Sequence, residues 1–252
     1  MSWRSFLSRK LYLLREASKQ KSIVFLVCTM RSGSTLLKSL LATAPDISHL
    51  PEVDFNNYHG NRSWRLKTLS SDPIILIKKP ASFEEENYPQ LPQLRRSKSI
   101  ILVRDAYETV RSLKKMVDQV HPHLSKRWGY QELLNDYWLP TTSTLLKLAE
   151  QKRPNQIFVR YEDLIEDPVP TTEKLFRFIG SQQQAGVDQY TPPSTYNWAW
   201  GNDDGGEKIK SFRVQYEPPN RTNQELLELI ASSPSVEALR KQLLYIDSLP
   251  SS

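Results

Sequence analysis

One strand-loop-helix unit constrains the fold of this chain more than any other segment. The apolar run Ile23–Val27 predicts a buried parallel strand, and Thr35–Ala42 has the apolar spacing of a helix. The loop between them contains Gly33, which lets the backbone approach a ligand closely. The free N–H groups and the dipole at the start of the helix point into this loop. A strand-loop-helix of this kind therefore predicts an anion site, with phosphate as the expected group.

The side chains of the loop also suit a phosphate. Arg31 supplies a fixed positive charge, and hydroxyl donors follow at Ser32, Ser34 and Thr35. The pattern differs from the phosphate loop of ATP and GTP hydrolases, G-x-x-x-x-G-K-[ST], since the first glycine is missing and the basic residue precedes Gly33. An ordinary triphosphate hydrolase is therefore disfavoured. Taken alone, the segment could also be a Ser-rich turn.

A second segment repeats the arrangement of an apolar strand that ends in an arginine. The run Ile100–Val103 predicts a strand, Arg104 ends it, and Asp105 with Glu108 predicts a capping box for the helix that follows. Arg104 has an alternative interpretation as a structural ion pair with Asp105 or Glu162.

The helix after Arg104 places one hydroxyl where it can join that arginine. Ser112 lies about two turns inside the helix, on its near face, so that Arg104 and Ser112 together could grip one phosphate. Arg111 is expected on another face of the helix.

Together these segments resemble the sulfotransferases that use 3′-phosphoadenosine 5′-phosphosulfate (PAPS) as sulfuryl donor. Their 5′-phosphosulfate loop is similar to TMRSGSTLL, their 3′-phosphate motif to ILVRDAYETVRSL, and the segment that usually follows to FVRYEDLIEDPVPTTEKLFRFIG. The motifs occur in the family's order and cover about residues 22–180. The resemblance implies a PAPS-dependent enzyme with a P-loop-NTPase-like fold and a donor that is handled without obligatory magnesium.

Sulfuryl transfer requires charge compensation and a deprotonated nucleophile, which suggests roles for single residues. Arg31 is predicted to neutralise the bridging or leaving oxygen. The resemblance implies Glu52 as the general base, because relatives with a Pro-Glu pair use that carboxylate, and Lys78 as a group that holds the sulfuryl. The predicted donor-binding residues are Arg31, Ser32, Gly33, Ser34, Thr35, Arg104, Ser112, Tyr161, Lys208 and Arg213.

The choice of base has alternatives in the same stretch of the chain. Many cytosolic relatives use a His shortly after the strand-end Lys, but this chain reads ILIKKPASF, which favours Glu52. His49 and His59 flank Glu52 and could assist or replace it. The four histidines and single cysteine have no metal-ligand spacing, so no metal is predicted. Cys28 lies within the first strand and is expected to be a core thiol of a protein in a reducing compartment.

Length and composition predict one α/β domain at residues 22–252, preceded by a basic amphipathic segment at residues 1–21. That segment lacks the apolar core of a signal peptide, and no transmembrane stretch is present, so a cytoplasmic protein is expected, with peripheral membrane contact left open. The net charge of +6 suits an anionic ligand, although nucleic acid or a membrane surface would suit it equally.

Further strand-like runs at Ile74–Lys78 and Gln156–Val159 alternate with helical stretches. This alternation predicts a parallel sheet flanked by helices in three layers. Pro140 is expected to kink or interrupt the long helical stretch of residues 131–151, and Gly180 to end a later helix.

Two other functions fit parts of the sequence. A kinase that uses ATP and magnesium would need a lysine after the loop glycine and a magnesium-binding acid. A noncatalytic module for anions or nucleic acid would be expected to carry a recognised binding motif, and no nucleic-acid partner is predicted. The expected acceptor is a hydroxyl group of a small molecule, carbohydrate or natural product. An amine is the less favoured alternative. The sequence leaves the acceptor's identity and the oligomeric state open.

Overall fold

A four-stranded parallel sheet lies at the centre of the part of the chain that the structure, a computed structural model, describes. That part comprises residues 21–51, 53, 60–83, 96–192 and 207–245, without the side chains of residues 60–63, 207, 208 and 245. The strands are β1 (Ser22–Cys28), β2 (Ile74–Pro80), β3 (Lys98–Val103) and β4 (Gln156–Arg160), in the sheet order β2-β1-β3-β4. The strands predicted from the sequence and their parallel direction are confirmed.

Helices follow β1, β3 and β4, as the sequence predicts, whereas residues 84–95 of the connection between β2 and β3 lie outside the described part. They are α1 (Ser34–Leu41), α2 (Ala106–Val120), α3 (Tyr130–Glu132), α4 (Leu139–Ala149), α5 (Tyr161–Glu166), α6 (Pro168–Ile179), α7 (Gln224–Ala231) and α8 (Pro234–Tyr245). Short 3₁₀ turns cover Gly60–Thr68, Pro122–Leu124 and Glu207–Ser211, and a π-helical stretch, Leu133–Trp138, joins α3 to α4.

Both faces of the sheet are covered, which gives the predicted three layers. On one face, Phe25 and Val27 of β1 join Ile101 of β3 in a core that α2, α4, α7 and α8 complete. On the other face, Val24 and Leu26 belong to a core with α1 and α6. Because the strands are buried on both faces, they are continuously apolar instead of alternating.

Pro140 changes the type of helix without ending it. It is the second residue of α4 and comes two positions after Trp138, the last residue of the π-helical stretch. Proline has no N–H and its ring crowds the preceding turn, so the hydrogen-bond ladder must be rearranged just before it. The wider π turn provides that rearrangement. The predicted interruption is therefore a local rearrangement, whereas Gly180, with a φ of 81°, ends α6 as expected.

The predicted capping box at the start of α2 is only half correct. Asp105 accepts a hydrogen bond from the N–H of Tyr107 at 3.0 Å, as an N-cap residue does. The N–H of Asp105, however, donates to Oε1 of Glu162 at 3.0 Å. Glu108 is therefore not the residue that closes the box, and its carboxylate is available for other contacts.

The strand order creates a crevice at the carboxyl ends of β1 and β3. From β1 the chain crosses by α1, on one face of the sheet, to β2, whereas from β3 it crosses by α2, on the opposite face, towards β4. The two neighbouring strands thus send their following loops in opposite directions. Ligands of open α/β sheets bind at such a switch point, and Arg31 and Arg104 follow the two strands here.

Residues 1–20, which make up nearly all of the predicted basic segment, lie outside the described residues. None of the helices in the described ranges has the length and apolarity needed to span a bilayer.

Candidate functional site

A cavity of about 640 Å³ opens at the switch point between β1 and β3. Among its described lining residues, six are basic: Arg31, Lys78, Arg104, Arg111, Lys115 and Arg213. In the same described lining, Glu108 carries the only carboxylate. A cleft lined by one sign of charge concentrates ions of the opposite sign, so the cavity suits a ligand with several negative charges.

The loop between β1 and α1 contains two residues in the left-handed region. Arg31 has a φ of 62° and Gly33 a φ of 87°. At Gly33 the restriction is also spatial, since a Cβ would lie 2.2 Å from Cδ2 of Tyr161. From the sequence, Gly33 was predicted to let the loop backbone approach an anion closely. In the structure Gly33 also allows the ring of Tyr161 to pack against the loop backbone.

The start of α1 presents donors to the cavity. Ser34 and Thr35 line it, and Nζ of Lys78 donates to Oγ1 of Thr35 at 3.2 Å. The Thr35 hydroxyl hydrogen can therefore point to another acceptor. Ser32 differs from the prediction, because it is fully buried and its hydroxyl donates to the carbonyl of Thr29 at 2.8 Å. Only the backbone N–H of Ser32 is left for a ligand.

Arg104 is fixed on several sides of its guanidinium group. Nη1 donates to the carbonyl oxygen of Arg31 at 3.0 Å, Nη2 lies 3.7 Å from Oε2 of Glu108, and the guanidinium lies 4.2 Å from the ring centroid of Tyr161. Its Nε is buried and has no hydrogen-bond partner among the described residues. The side chain of Arg104 is still partly exposed and lines the cavity, so the arginine can meet an anion there.

The loop after β1 and helix α2 are joined directly. Nε of Arg31 donates to Oγ of Ser112 at 3.0 Å, and both residues line the cavity. The sequence predicted Ser112 as a partner of Arg104 at one phosphate. The structure brings all three side chains to the same cavity, with Arg31 in contact with Ser112.

Besides the predicted Ser112, the cavity face of α2 carries residues that were not predicted there from the sequence. Glu108, Ser112 and Lys115 recur at helical spacing along the lining, and Arg111 lines it as well. The prediction that Arg111 lies on another face is wrong, since Nη2 of Arg111 is 3.1 Å from Oε2 of Glu108. The signal was present in the sequence, because residues three and four apart on a helix are neighbours.

The segment after α6 closes another side of the cavity. Tyr190 and Arg213 line it, and their backbones belong to a short antiparallel pairing in which Val214 donates to the carbonyl of Asp188. Arg213 is 61% exposed and its Nε lies 3.4 Å from Oδ2 of Asp188. Burial raises the pKa of Tyr190 to about 12, so that its hydroxyl, which donates to the carbonyl of Ile209 at 2.6 Å, stays protonated. The side chain of Lys208 lies outside the described residues.

Two carboxylates, Glu162 and Asp105, fix the start of α2. Glu162 accepts from the N–H of Asp105, and burial raises the pKa of Glu162, while that hydrogen bond opposes the shift. Asp105 in turn lies 3.3 Å from Nη2 of Arg221 and 3.0 Å from Nε of Arg240. These contacts fix the start of α2 against the C-terminal part of the described chain.

Tyr137 braces the loop of the candidate site from within the core. Its hydroxyl accepts from the N–H of Met30 at 2.7 Å and donates to the carbonyl of Ala81 at 3.0 Å. One buried hydroxyl therefore joins the loop after β1 to the end of β2, the two places that carry Arg31 and Lys78.

The predicted base, Glu52, lies outside the part of the chain that the structure describes. Glu52 and the alternative His59 are not among the described residues. His49 is described, and burial, with a smaller effect from the charge of Lys38, lowers its pKa to about 4. An imidazole of that pKa is neutral near pH 7 but is a weak proton acceptor. Among the described residues, no group of three or more His, Cys, Asp or Glu side chains is arranged to hold a metal ion.

Comparison with known proteins assigns the family. The profile of the sulfotransferase domain matches residues 21–197, which is more than half of the 252-residue chain. The chain therefore belongs to the sulfotransferase family, as its motifs indicate. It is 27% identical over 183 residues to the flavonol 3-sulfotransferase of Flaveria bidentis, a match that covers 66% of this chain. The matched region spans 55% of that relative, so the chain covers only about half of the curated protein's length.

Solved structures share the fold. A sulfotransferase domain from the curacin biosynthetic pathway is 17% identical with a TM-score of 0.57, over 89% of this chain and 98% of that one. A sulfotransferase domain of the Synechococcus PCC 7002 olefin synthase is 18% identical with a TM-score of 0.56, over 91% and 97%. A mouse sulfotransferase complexed with 3′-phosphoadenosine 5′-phosphate (PAP) is 17% identical with a TM-score of 0.50, over 93% and 88%.

Proposed function

We propose that this protein transfers a sulfuryl group from PAPS to a hydroxyl of a small-molecule acceptor and releases PAP. One observation carries the proposal: the predicted 5′ and 3′ phosphate-binding segments, far apart in sequence, line a single basic cavity with Arg31 bonded to Ser112. Membership of the sulfotransferase family supports the same reaction.

The residues in the cavity fit the two anionic ends of the donor. The N–H groups at the start of α1 and the hydroxyl of Thr35 suit the 5′-phosphosulfate. The guanidinium of Arg104 and the hydroxyl hydrogen of Ser112 suit the 3′-phosphate. Tyr161, which packs against Gly33, lines the space where the nucleoside would join the two ends.

The chemistry follows from this placement. The acceptor oxygen attacks the sulfur in line with the leaving 5′-phosphate, one S–O bond forms, and the S–O bond to the phosphate breaks. Negative charge that grows on the leaving oxygen would be met by Arg31, and charge on the sulfuryl oxygens by Lys78. Both cations line the cavity close to the first turn of α1, so little reorganisation is needed when the charge moves.

The proton of the acceptor hydroxyl needs a base. Glu52 is the proposed acceptor of that proton, on the ground of the Pro-Glu pair that the chain shares with relatives. Two residues earlier, the carbonyl of Leu50 accepts a hydrogen bond from Nζ of the buried Lys38 at 2.7 Å. This bond anchors the described chain at Leu50, which comes two residues before Glu52 in the sequence.

The acceptor is proposed by chemical class. Flavonol 3-sulfotransferase is named for a flavonol, and two structural neighbours come from the curacin biosynthetic pathway and from an olefin synthase. A hydroxylated natural product or carbohydrate is the class that we propose for this chain. A cytoplasmic location and the absence of a nucleic-acid partner stay predictions of the sequence.

Calorimetric titration with PAP, without magnesium, tests the donor site. We expect binding by the unchanged protein and a 10- to 100-fold loss in Arg104→Ala, because hydrogen bonds to charged groups contribute about 1.5–3 kcal/mol. Arg177→Ala is the matched control, since Arg177 is an exposed arginine that pairs with Glu173 on α6. It should bind PAP as the unchanged protein does.

The same titration separates the alternatives. Absence of PAP binding, or preference for ATP in the presence of magnesium, would overturn the proposal and favour a kinase. If PAP binds, an acceptor screen with Glu52→Gln follows, in which transfer should fall at least 100-fold while PAP affinity stays unchanged. If Glu52→Gln lost PAP affinity as strongly as it lost transfer activity, the role of Glu52 as the base would be contradicted.

A further inference from the structure

The carboxylate of Glu108 occupies an unusual position inside a basic cavity. Of the described residues that line the cavity, six carry a positive charge and Glu108 alone carries a negative one. Its side chain is only 14% exposed. An acid inside an anion site opposes the ligand, so its presence requires a physical reason.

Glu108 pairs with the arginines on either side of it. Oε2 lies 3.1 Å from Nη2 of Arg111 and 3.7 Å from Nη2 of Arg104. Its other oxygen, Oε1, is buried and has no hydrogen-bond partner among the described residues. The carboxylate thus neutralises part of the cavity's charge while one of its acceptors is left unused.

The position on the helix places Glu108 beside the proposed 3′-phosphate. Glu108 and Ser112 are four residues apart on α2, so that their Cβ atoms are about 5–6 Å apart on one face. A phosphate held by Ser112 and Arg104 would therefore lie within a few ångström of the carboxylate. Two anions at that separation repel each other, and both compete for the guanidinium of Arg104.

We propose that Glu108 is a competing anion in the donor site, which holds Arg104 and Arg111 until the 3′-phosphate displaces it and which takes the arginines back when the nucleotide leaves. This inference rests on the proposed donor site. It assigns Glu108 a role in limiting how tightly the 3′-phosphate is held. Since PAPS and PAP share that phosphate, such a weakening acts on substrate and product alike and speeds release of the product.

The hydrogen bond from Arg111 to the backbone of Asn220 fits this exchange of the carboxylate for the 3′-phosphate. Nη1 of Arg111 donates to the carbonyl of Asn220 at 3.1 Å, so Arg111 stays anchored when its bond to Glu108 is broken. Arg104 is likewise anchored by its bond to the carbonyl of Arg31. The carboxylate can therefore change partners while the two arginines keep their places.

The test compares PAP and 5′-AMP by calorimetry in Glu108→Gln and in the unchanged protein. Gln keeps the length and the acceptor oxygen of Glu but removes the charge. We expect Glu108→Gln to bind PAP about tenfold more tightly, equivalent to about 1.4 kcal/mol. The affinity for 5′-AMP, which lacks the 3′-phosphate, should stay within about twofold of the unchanged protein.

Glu173→Gln is the charge-matched control, because Glu173 pairs with Arg177 on the surface of α6 and does not belong to the described cavity lining. It should leave both affinities unchanged. A general structural defect weakens binding, so a gain in affinity is diagnostic. Equal or weaker PAP binding in Glu108→Gln overturns the inference, and so does an equal gain for 5′-AMP. If the unchanged protein binds no PAP, the proposed function fails first, which keeps the two failures distinct.

Discussion

Replacing Gly33 by alanine tests whether the loop after β1 depends on a residue without a side chain. Gly33 has a φ of 87°, in the left-handed region, and an added Cβ would lie 2.2 Å from Cδ2 and 2.4 Å from Cε2 of Tyr161. Contacts this short cannot persist, so either the loop or the ring must move. The ring also contacts the guanidinium of Arg104, which lies 4.2 Å from its centroid.

The size of the effect follows from two separate costs. A left-handed backbone costs an L-residue about 1–2 kcal/mol. Overpacking of a well-packed site costs about 1–3 kcal/mol. Gly33→Ala should therefore lower the free energy of unfolding by about 2–5 kcal/mol. It should also weaken PAP binding, because displacement of Tyr161 disturbs Arg104.

Gly180→Ala separates the two costs. Gly180 has a φ of 81°, almost that of Gly33, but among the described residues a Cβ there would meet only Nζ of Lys98, at 3.4 Å. This variant should lose about 1–2 kcal/mol from backbone strain alone and bind PAP normally. The comparison therefore isolates the contact with Tyr161.

Urea denaturation followed by circular dichroism measures the stability of both variants, and calorimetry measures PAP binding. The reasoning is refuted if Gly33→Ala is no less stable than Gly180→Ala. It is equally refuted if Gly33→Ala binds PAP with unchanged affinity, since Tyr161 and the loop would then not act as one unit.

Two further predictions concern residues behind the site. Tyr137→Phe should lower the free energy of unfolding, measured in urea, by about 1–3 kcal/mol, because the N–H of Met30 and the carbonyl of Ala81 lose their partner. An unchanged urea midpoint would mean that these two groups find other partners. Burial and Lys38 lower the pKa of His49 to about 4, below its ordinary value of 6.5, so its contribution to stability is present above pH 6.5 and is lost as the pH falls towards 4. Between pH 7 and 4.5 the unchanged protein should lose about 1–2 kcal/mol more of its free energy of unfolding than His49→Gln does, after allowance for solvent screening. Equal losses in the two proteins would contradict the lowered pKa of His49.

The architecture was predictable because its signals are local. Runs such as Ile23–Val27 and Ile100–Val103 are apolar without alternation, which occurs when helices cover both faces of a parallel sheet. The interruption at Pro140 was foreseen in position but not in form, since a π-helical stretch keeps the helix continuous. Local chemistry identifies the strained point, whereas packing decides how the strain is relieved.

The candidate site was predictable in its members and less so in its contacts. Arg31, Arg104 and Ser112 were expected from their positions at the ends of strands and one helix face. Glu108 was expected to close a capping box, but Glu162, 54 positions later in the sequence, takes that hydrogen bond instead. A local rule cannot anticipate a competitor that arrives from another part of the chain.

The sequence alone defines which segments are strands and helices and which of them carry anion-binding groups, because propensity, periodicity and capping act over a few residues. Tertiary structure decides which of those groups meet. The bond from Arg31 to Ser112, the ring of Tyr161 against Gly33 and the carboxylate of Glu108 between two arginines all depend on the order of the strands in the sheet. That order is a property of the whole chain, which no single segment encodes.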